Sequence, residues 1–175
     1  MNMTGRRIRV LAVAMAVVGA IAACGGDGGE SESTTSPAGA DQAEGSTLTA
    51  AEVVDRLQTA GLPIGTVTAY DEASDPNGLL GRPGQYTGKS VFIDTRLEAS
   101  AGSVTGVEAG GDVESFDSEQ ALSDRANYLS AFADEPPLGG WYQYEAGNVI
   151  LRVSFDLTPD QAAQYDAALQ DIFDD

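Results

Sequence analysis

The sequence predicts an α+β fold: an antiparallel sheet of about five to six strands, with three helices packed mainly on one face. Helix-start signals occur at three separated points, and the stretches between them alternate with a period of two. One of these stretches also turns back on itself at a Gly-Asn pair. The resulting order of helix, strands, helix, hairpin and helix is typical of such a sheet, and it leaves the other face to water or to a partner.

The first predicted helix begins at Thr49. The stretch from Leu48 to Val53 contains a capping box, in which the Thr49 hydroxyl accepts from the Glu52 amide and the Glu52 carboxylate accepts from the Thr49 amide. The helix is expected to end at the Gly-Leu-Pro of residues 61–63. Its inward face consists of Val53, Val54, Leu57 and Ala60.

Three stretches after this helix are predicted to form strands. Residues 66–70 and 90–97 each form a single strand, and residues 104–116 form a hairpin that turns near Ala109-Gly110-Gly111.

The second helix begins around Ser118 and ends before Pro136-Pro137. Its inward residues are Leu122, Ala126, Leu129 and either Phe132 or Ala133.

A second hairpin is predicted over residues 141–155, with a two-residue turn at Gly147-Asn148 or one residue earlier. Either turn places Tyr142, Tyr144, Val149, Leu151, Val153 and Phe155 on the face expected to be the core.

The third helix follows this hairpin, with Pro159 at its first position. Its inward stripe is Ala162, Tyr165, Leu169 and Ile172.

The N-terminal segment is typical of a signal peptide. Arginines precede the apolar run of residues 10–18, which is too short to span a bilayer, and small residues lead to Cys24, the only cysteine. The sequence Ile21-Ala22-Ala23-Cys24 resembles the lipobox of a bacterial lipoprotein. That resemblance implies a diacylglyceryl group on Cys24 and removal of the leader, with general secretion favoured over twin-arginine export. The alternative is an ordinary secretory leader, which would leave an unpaired thiol in an oxidising compartment.

This interpretation divides the chain into three parts. Residues 1–23 form the signal peptide, residues 24–47 the lipidated cysteine and a flexible tether of Gly, Ser, Thr and acidic residues, and residues 48–175 a single domain. We expect the domain to be held at the extracytoplasmic face of the cell membrane by its lipid anchor.

The composition is strongly acidic. The full chain has a net charge of −18. The mature chain would carry −21, because three of the nine basic residues and none of the twenty-seven acidic ones lie in the leader. Nucleic acid is therefore excluded as an expected partner, since a phosphate backbone requires a basic surface. The acidity is otherwise explained by solubility.

The sequence contains few groups suited to catalysis or metal binding. It has no histidine, and neither a nucleophile motif nor the usual zinc ligands are recognisable. Asp71 to Gly78 is rich in acids but fails the EF-hand pattern at Ala73 and Gly84. We therefore predict no enzyme activity, metal or cofactor. The alternative is a hydrolase that acts through paired carboxylates.

Residues 75–89 form an unusually long connection between strands, with four glycines, two prolines and the only lysine. One interpretation is a binding loop in which Arg82 and Lys89 hold an anion beside Tyr86. The other is a rigid cover that packs Leu79, Leu80 and Tyr86 over the core. This segment, with residues 149–152 and 157–159, resembles uncharacterised surface lipoproteins of high-GC Gram-positive bacteria, and that resemblance implies no activity.

The outer face of the sheet is the second candidate site. Trp141, Gln143 and Arg152 share that face, and Phe92, Asp94 and Arg96 would join them if Val91, Ile93 and Leu97 pointed inward. Arg and Trp are enriched at binding hot spots. The sequence thus favours a binding or accessory module for an envelope protein or a small ligand, with a purely structural surface protein as a further alternative.

Overall fold

The computed structural model describes residues 47–97, 106–133 and 139–174. Within these residues the chain forms an α+β fold with one antiparallel sheet, as predicted. The helices are α1 (Ala50–Thr59), α2 (Glu119–Ser130) and α3 (Pro159–Asp174). The strands are β1 (Ile64–Tyr70), β2 (Gly88–Asp94), β3 (Gly110–Ser115), β4 (Trp141–Ala146) and β5 (Val149–Ser154). A short 3₁₀ helix at Val107–Ala109 precedes β3.

The five strands are ordered β1-β2-β3-β5-β4, and every neighbouring pair is antiparallel. β4 and β5 are joined by the two-residue turn Gly147-Asn148, in which Gly147 has a positive φ of 51°. Tyr144 lies opposite Leu151 in this hairpin, and Gln143 lies opposite Arg152. The predicted turn and register are therefore confirmed.

The three predicted helix starts are also confirmed. The Thr49 amide donates to the Glu52 carboxylate at 2.9 Å, and the Glu52 amide donates back to the Thr49 hydroxyl at 3.3 Å. The Ser118 hydroxyl accepts from the Ala121 amide at the start of α2. Pro159 is the first residue of α3, where its missing amide costs no hydrogen bond.

The first face of the sheet carries the larger core. α1 and α3 pack there against the side chains of β2, β3 and β5. Phe92 is fully buried in this core and stacks on Tyr165 of α3, with the ring centroids 5.5 Å apart. The side chains at the centre of this core are Val53, Val54, Leu57, Val113, Leu151, Val153 and Leu169.

The condition under which Phe92 would join the outer face is not met, because Phe92 points into this core while Val91 and Ile93 lie on the opposite side. The reason lies on β3, where Gly111 is opposite Phe92. A Cβ at Gly111 would lie 2.5 Å from Cζ of Phe92, so the glycine leaves the space that the phenyl ring occupies.

The second face of the sheet is covered rather than open. α2 and residues 76–87 pack on it and bury Tyr86, Phe116, Trp141 and Ile150. The prediction of three helices mainly on one face is therefore corrected for α2. Ile150 and Trp141 alternate with the residues of the first core, so they need a cover of their own, and Ala126 and Leu129 of α2 provide it.

Several strand boundaries also differ from the prediction, and β1 and β2 each begin two residues earlier, at Ile64 and Gly88. β2 ends at Asp94, whose carboxylate accepts from the Arg96 amide at 2.8 Å and turns the chain before residue 97. The predicted hairpin over residues 104–116 contains one strand, β3, because residues 107–109 form the 3₁₀ helix. Val104 and Thr105 lie outside the described residues.

The predicted leader and Cys24 also lie outside the described residues, as does the tether apart from Thr47. Within the part of the chain that the structure describes, none of the helices combines the length and the apolar character needed to cross a membrane.

Candidate functional site

A cluster of charged side chains lies on the second face of the sheet. Asp112 and Glu114 are two residues apart on the central strand β3, so both point to this face. Lys89 lies opposite Glu114 on β2, and Arg152 lies opposite Asp112 on β5. The sheet register therefore brings four charged residues from three strands together, and Arg125 reaches them from α2.

Each carboxylate of the cluster is held by an arginine with two hydrogen bonds. Arg152 donates from Nε to Asp112 Oδ1 at 2.9 Å and from its Nη2 to Asp112 Oδ2. Arg125 donates to both oxygens of Glu114, at 2.8 Å in each case. Such paired contacts are the strongest arrangement available to a carboxylate and an arginine. Asp112 and Glu114 are thus each matched by one cation.

Lys89 is the third cation of the cluster. Its Nζ lies 3.4 Å from Glu114 Oε1 and 3.7 Å from Asp112 Oδ2, so it is only loosely associated with carboxylates that arginines already hold. Its side chain is only 4% exposed. Among the described residues of the cluster, three cations thus face two carboxylates, and Lys89 shares its carboxylates with the two arginines.

The cluster holds Glu114 in its ionised form. Burial alone would raise the pKa of this carboxyl, but the hydrogen bonds from Arg125 and the charges of Arg152, Arg125 and Lys89 outweigh burial. The pKa of Glu114 therefore lies below its ordinary value of 4.5.

Aromatic rings surround the three cations. The Arg152 guanidinium lies 5.0 Å from the Trp141 ring centroid, and the Tyr86 ring lies within 5.3 Å of Lys89 and 5.4 Å of Arg125. Cations over ring faces are favourably placed. The Tyr86 hydroxyl donates to Asp75 at 2.7 Å, and burial together with this bond raises the pKa of Tyr86.

A cavity of about 450 Å³ opens above this cluster. Its volume lies in the lower part of the range of about 300–1,000 Å³ that is common for small-ligand sites. The loop after β1, the 3₁₀ helix, α2 and four strands, β2, β3, β4 and β5, contribute residues to its walls. The lining residues are Pro76, Asn77, Leu79, Lys89, Gly106, Val107, Glu108, Asp112, Arg125, Tyr128, Leu129, Trp141 and Arg152.

One donor in the lining lacks a partner. The indole Nε1 of Trp141 is buried and has no hydrogen-bond acceptor among the described residues. Trp141 itself is 8% exposed. A buried polar group without a partner costs free energy, and such groups occur where a ligand or water completes the bonding.

The structure separates the five predicted binding residues into two groups. Lys89, Trp141 and Arg152 line the cavity, and Tyr86 packs directly against Lys89. Arg82 is exposed and does not line the cavity. The four clustered residues are buried, so they do not form the open contact surface that the sequence suggested.

Sequence reasoning missed Asp112, Glu114 and Arg125. The alternation of Asp112 and Glu114 with small or apolar residues on β3 is also the pattern of a solvent-exposed face, so it indicated no site. The feature that identifies these two acids is that the residues opposite them on the flanking strands, Lys89 and Arg152, carry the opposite charge. It becomes visible only once the strand order is known.

The connection over residues 75–89 forms the cover that was one of the two roles considered for it. Tyr86 is fully buried, and Leu79 and Leu80 pack on the second core, as expected of a cover. The Asp75 carboxylate holds the loop together by accepting from the Tyr86 hydroxyl and from the amides of residues 77, 79 and 80. The same connection supplies Lys89 and one wall of the cavity.

Comparison of the chain with protein-family models, with curated proteins and with solved structures finds no match.

Proposed function

We propose that this chain is a lipid-anchored, extracytoplasmic binding protein that holds a small ligand in the cavity above Lys89, Asp112 and Arg152. The observation that carries the proposal is the cavity itself, which has the volume of a small-ligand site and a floor of buried charged groups. Apolar and aromatic residues from the loop, the 3₁₀ helix and α2 line the cavity beside these charged groups.

A binding function is favoured over hydrolysis by the way in which neighbouring arginines hold Asp112 and Glu114. Asp112 and Glu114 do converge beneath the cavity, as a carboxylate-dependent hydrolase would require. However, a glycosidase-type general acid needs a raised pKa, and Glu114 has a lowered one. Asp112 is held by Arg152 through both of its oxygens. These contacts suit a rigid binding floor better than proton transfer.

A small ligand is favoured over an envelope protein as the occupant of this site. Trp141 and Arg152 are each only 8% exposed, and Lys89 is 5% exposed. A protein partner would need such anchor residues at its contact surface. A purely structural role is disfavoured because the charged cluster borders a cavity with the volume of a small-ligand site, which a structural role does not require.

The anchoring part of the proposal depends on the lipobox at Cys24. The tether from residue 25 to residue 47 would hold the domain about 25–30 Å from the bilayer, as expected of a flexible coil of this length. The acyl chains would then be the contact with the membrane, since an acidic domain is repelled by anionic head groups. We propose no nucleic-acid partner for the same electrostatic reason.

The experiment that tests the cavity is saturation-transfer NMR with a mixture of neutral and charged aromatic fragments. Pro76→Phe places a ring at the rim of the cavity, whereas Pro83→Phe makes the same change at an exposed position of the same loop outside it. We expect fragments to bind the wild-type protein and Pro83→Phe but not Pro76→Phe. Equal binding to all three proteins, or to none, would overturn the proposed function.

A further inference from the structure

We infer that the cavity takes a small organic anion of single charge, such as a carboxylate, with an aromatic or aliphatic body. This inference rests on the proposed function and names the class of ligand. Three features point to this class of ligand: the charges on the cavity floor, an indole donor without a partner among the described residues, and the apolar lining residues.

The charged side chains on the cavity floor favour a ligand with one negative charge. Arg152 and Arg125 are each matched by one carboxylate, whereas Lys89 lies 3.4 Å and 3.7 Å from acids that are already engaged. Asp75, another buried acid on this side, is bonded to Tyr86 and to loop amides and makes no salt bridge within the described part of the chain. A single anion beside Lys89 would therefore neutralise the site.

A second observation concerns a donor without a partner on a residue that lines the same cavity. The Trp141 Nε1 has no acceptor among the described residues, although the indole ring lines the cavity. Lys89 and Trp141 together offer one cation and one neutral donor, and a carboxylate has two oxygens that accept hydrogen bonds.

The walls define the remainder of the ligand. Leu79, Val107, Tyr128 and Leu129 line the cavity above the charged floor and suit an apolar body. A doubly charged phosphate would exceed the single surplus charge and would face Asp112 and Glu114. The exposed carboxylate of Glu108 at the rim and the net charge of −18 further disfavour polyanions.

The sole tryptophan makes the inference directly testable, because Trp141 lies in the wall of the cavity. The full-length protein is titrated with phenylacetate, hexanoate, the neutral analogue phenylacetamide and phenyl phosphate. Binding is followed by Trp141 fluorescence and by the NMR signal of its indole N–H. We expect both carboxylates to shift these signals and to bind about tenfold more tightly than phenylacetamide and phenyl phosphate.

Three variants test how individual charged side chains affect carboxylate binding. Lys89→Met should weaken carboxylate binding about tenfold, whereas Arg82→Met, which removes an exposed cation outside the cavity, should leave it unchanged. Glu108→Gln should strengthen binding by less than about threefold, because exposed charges are screened by salt. Circular dichroism and chemical shifts confirm that each variant is folded.

The possible outcomes are distinct. If phenylacetamide binds as tightly as phenylacetate, or if Lys89→Met binds carboxylates normally, the anion inference fails while the cavity remains a ligand site. If no probe shifts Trp141 and the fragment mixture also fails to bind, both this inference and the proposed function are overturned.

Discussion

The Nζ of Lys89 lies 3.4 Å from the Oε1 of Glu114, a carboxylate oxygen that Arg125 already holds at 2.8 Å. Within the described residues Lys89 therefore shares its carboxylates with the two arginines, in an interior where charges are normally matched. This relationship distinguishes a charged cluster that only stabilises the fold from one that also leaves a charge available to a ligand.

The stability of variants should reveal this distinction. Arg152→Met removes the cation that holds Asp112 and should lower the free energy of unfolding by about 3 kcal/mol, because a buried carboxylate loses its partner. Lys89→Met removes only the surplus charge and should change stability by less than about 1 kcal/mol. Urea unfolding in the absence of added ligand measures both. An equal loss in the two variants would make Lys89 a structural counter-ion.

The cluster should also make the protein sensitive to acid. Because the folded-state pKa of Glu114 lies below 4.5, its contribution to stability is complete above about pH 4.5 and is lost as the pH falls through the lowered value. Urea unfolding from neutral pH down to about pH 3 should show this loss. Glu114→Gln should be less stable at neutral pH and should show a shallower decline in acid. A parallel decline in both proteins would exclude Glu114 as a cause.

The orientation of β2 can be checked with two phenylalanines. Phe92 is fully buried in the first core, whereas Phe155 is 41% exposed just beyond β5. Phe92→Ala should cost about 3–5 kcal/mol, the range for a large core truncation, and Phe155→Ala less than about 1.5 kcal/mol. A larger loss of stability for Phe155→Ala than for Phe92→Ala would contradict the burial of Phe92 in the first core.

Much of the fold could be predicted from local chemistry. The capping box at Thr49, the proline at the start of α3 and the Gly147-Asn148 turn depend on residues within a few positions of one another, so the sequence contains them directly. The orientation of β2 cannot be predicted locally, because Val91, Phe92 and Ile93 are all large and apolar, and an unbroken apolar run does not show which side faces the core. The deciding residue, Gly111, lies on another strand.

The candidate site was predictable only in part for the same reason. Lys89, Trp141 and Arg152 stood out as rare or binding-prone residue types. The assignment of α2 to the second face, and with it the contact between Arg125 and Glu114, depends on strand order. Long-range pairing of this kind leaves no periodic signal in a single sequence.

Membrane anchoring makes a separate prediction. Cys24→Ala should abolish incorporation of labelled palmitate and release the protein from the membrane fraction, because the acyl chains would be its stable attachment. Cys24→Ser serves as a second variant with the same expected result. Retention of either variant in washed membranes would show that attachment does not depend on the cysteine.

The most direct test of the ligand site is a crystal structure of the full-length protein grown with phenylacetate. We expect the carboxylate within about 3 Å of Lys89 Nζ and Trp141 Nε1, the usual length of a hydrogen bond, with the phenyl ring against Leu79 and Tyr128. Phenylacetate bound at an exposed cation such as Arg82, with only solvent above Lys89, would contradict the assignment of the cavity as the binding site.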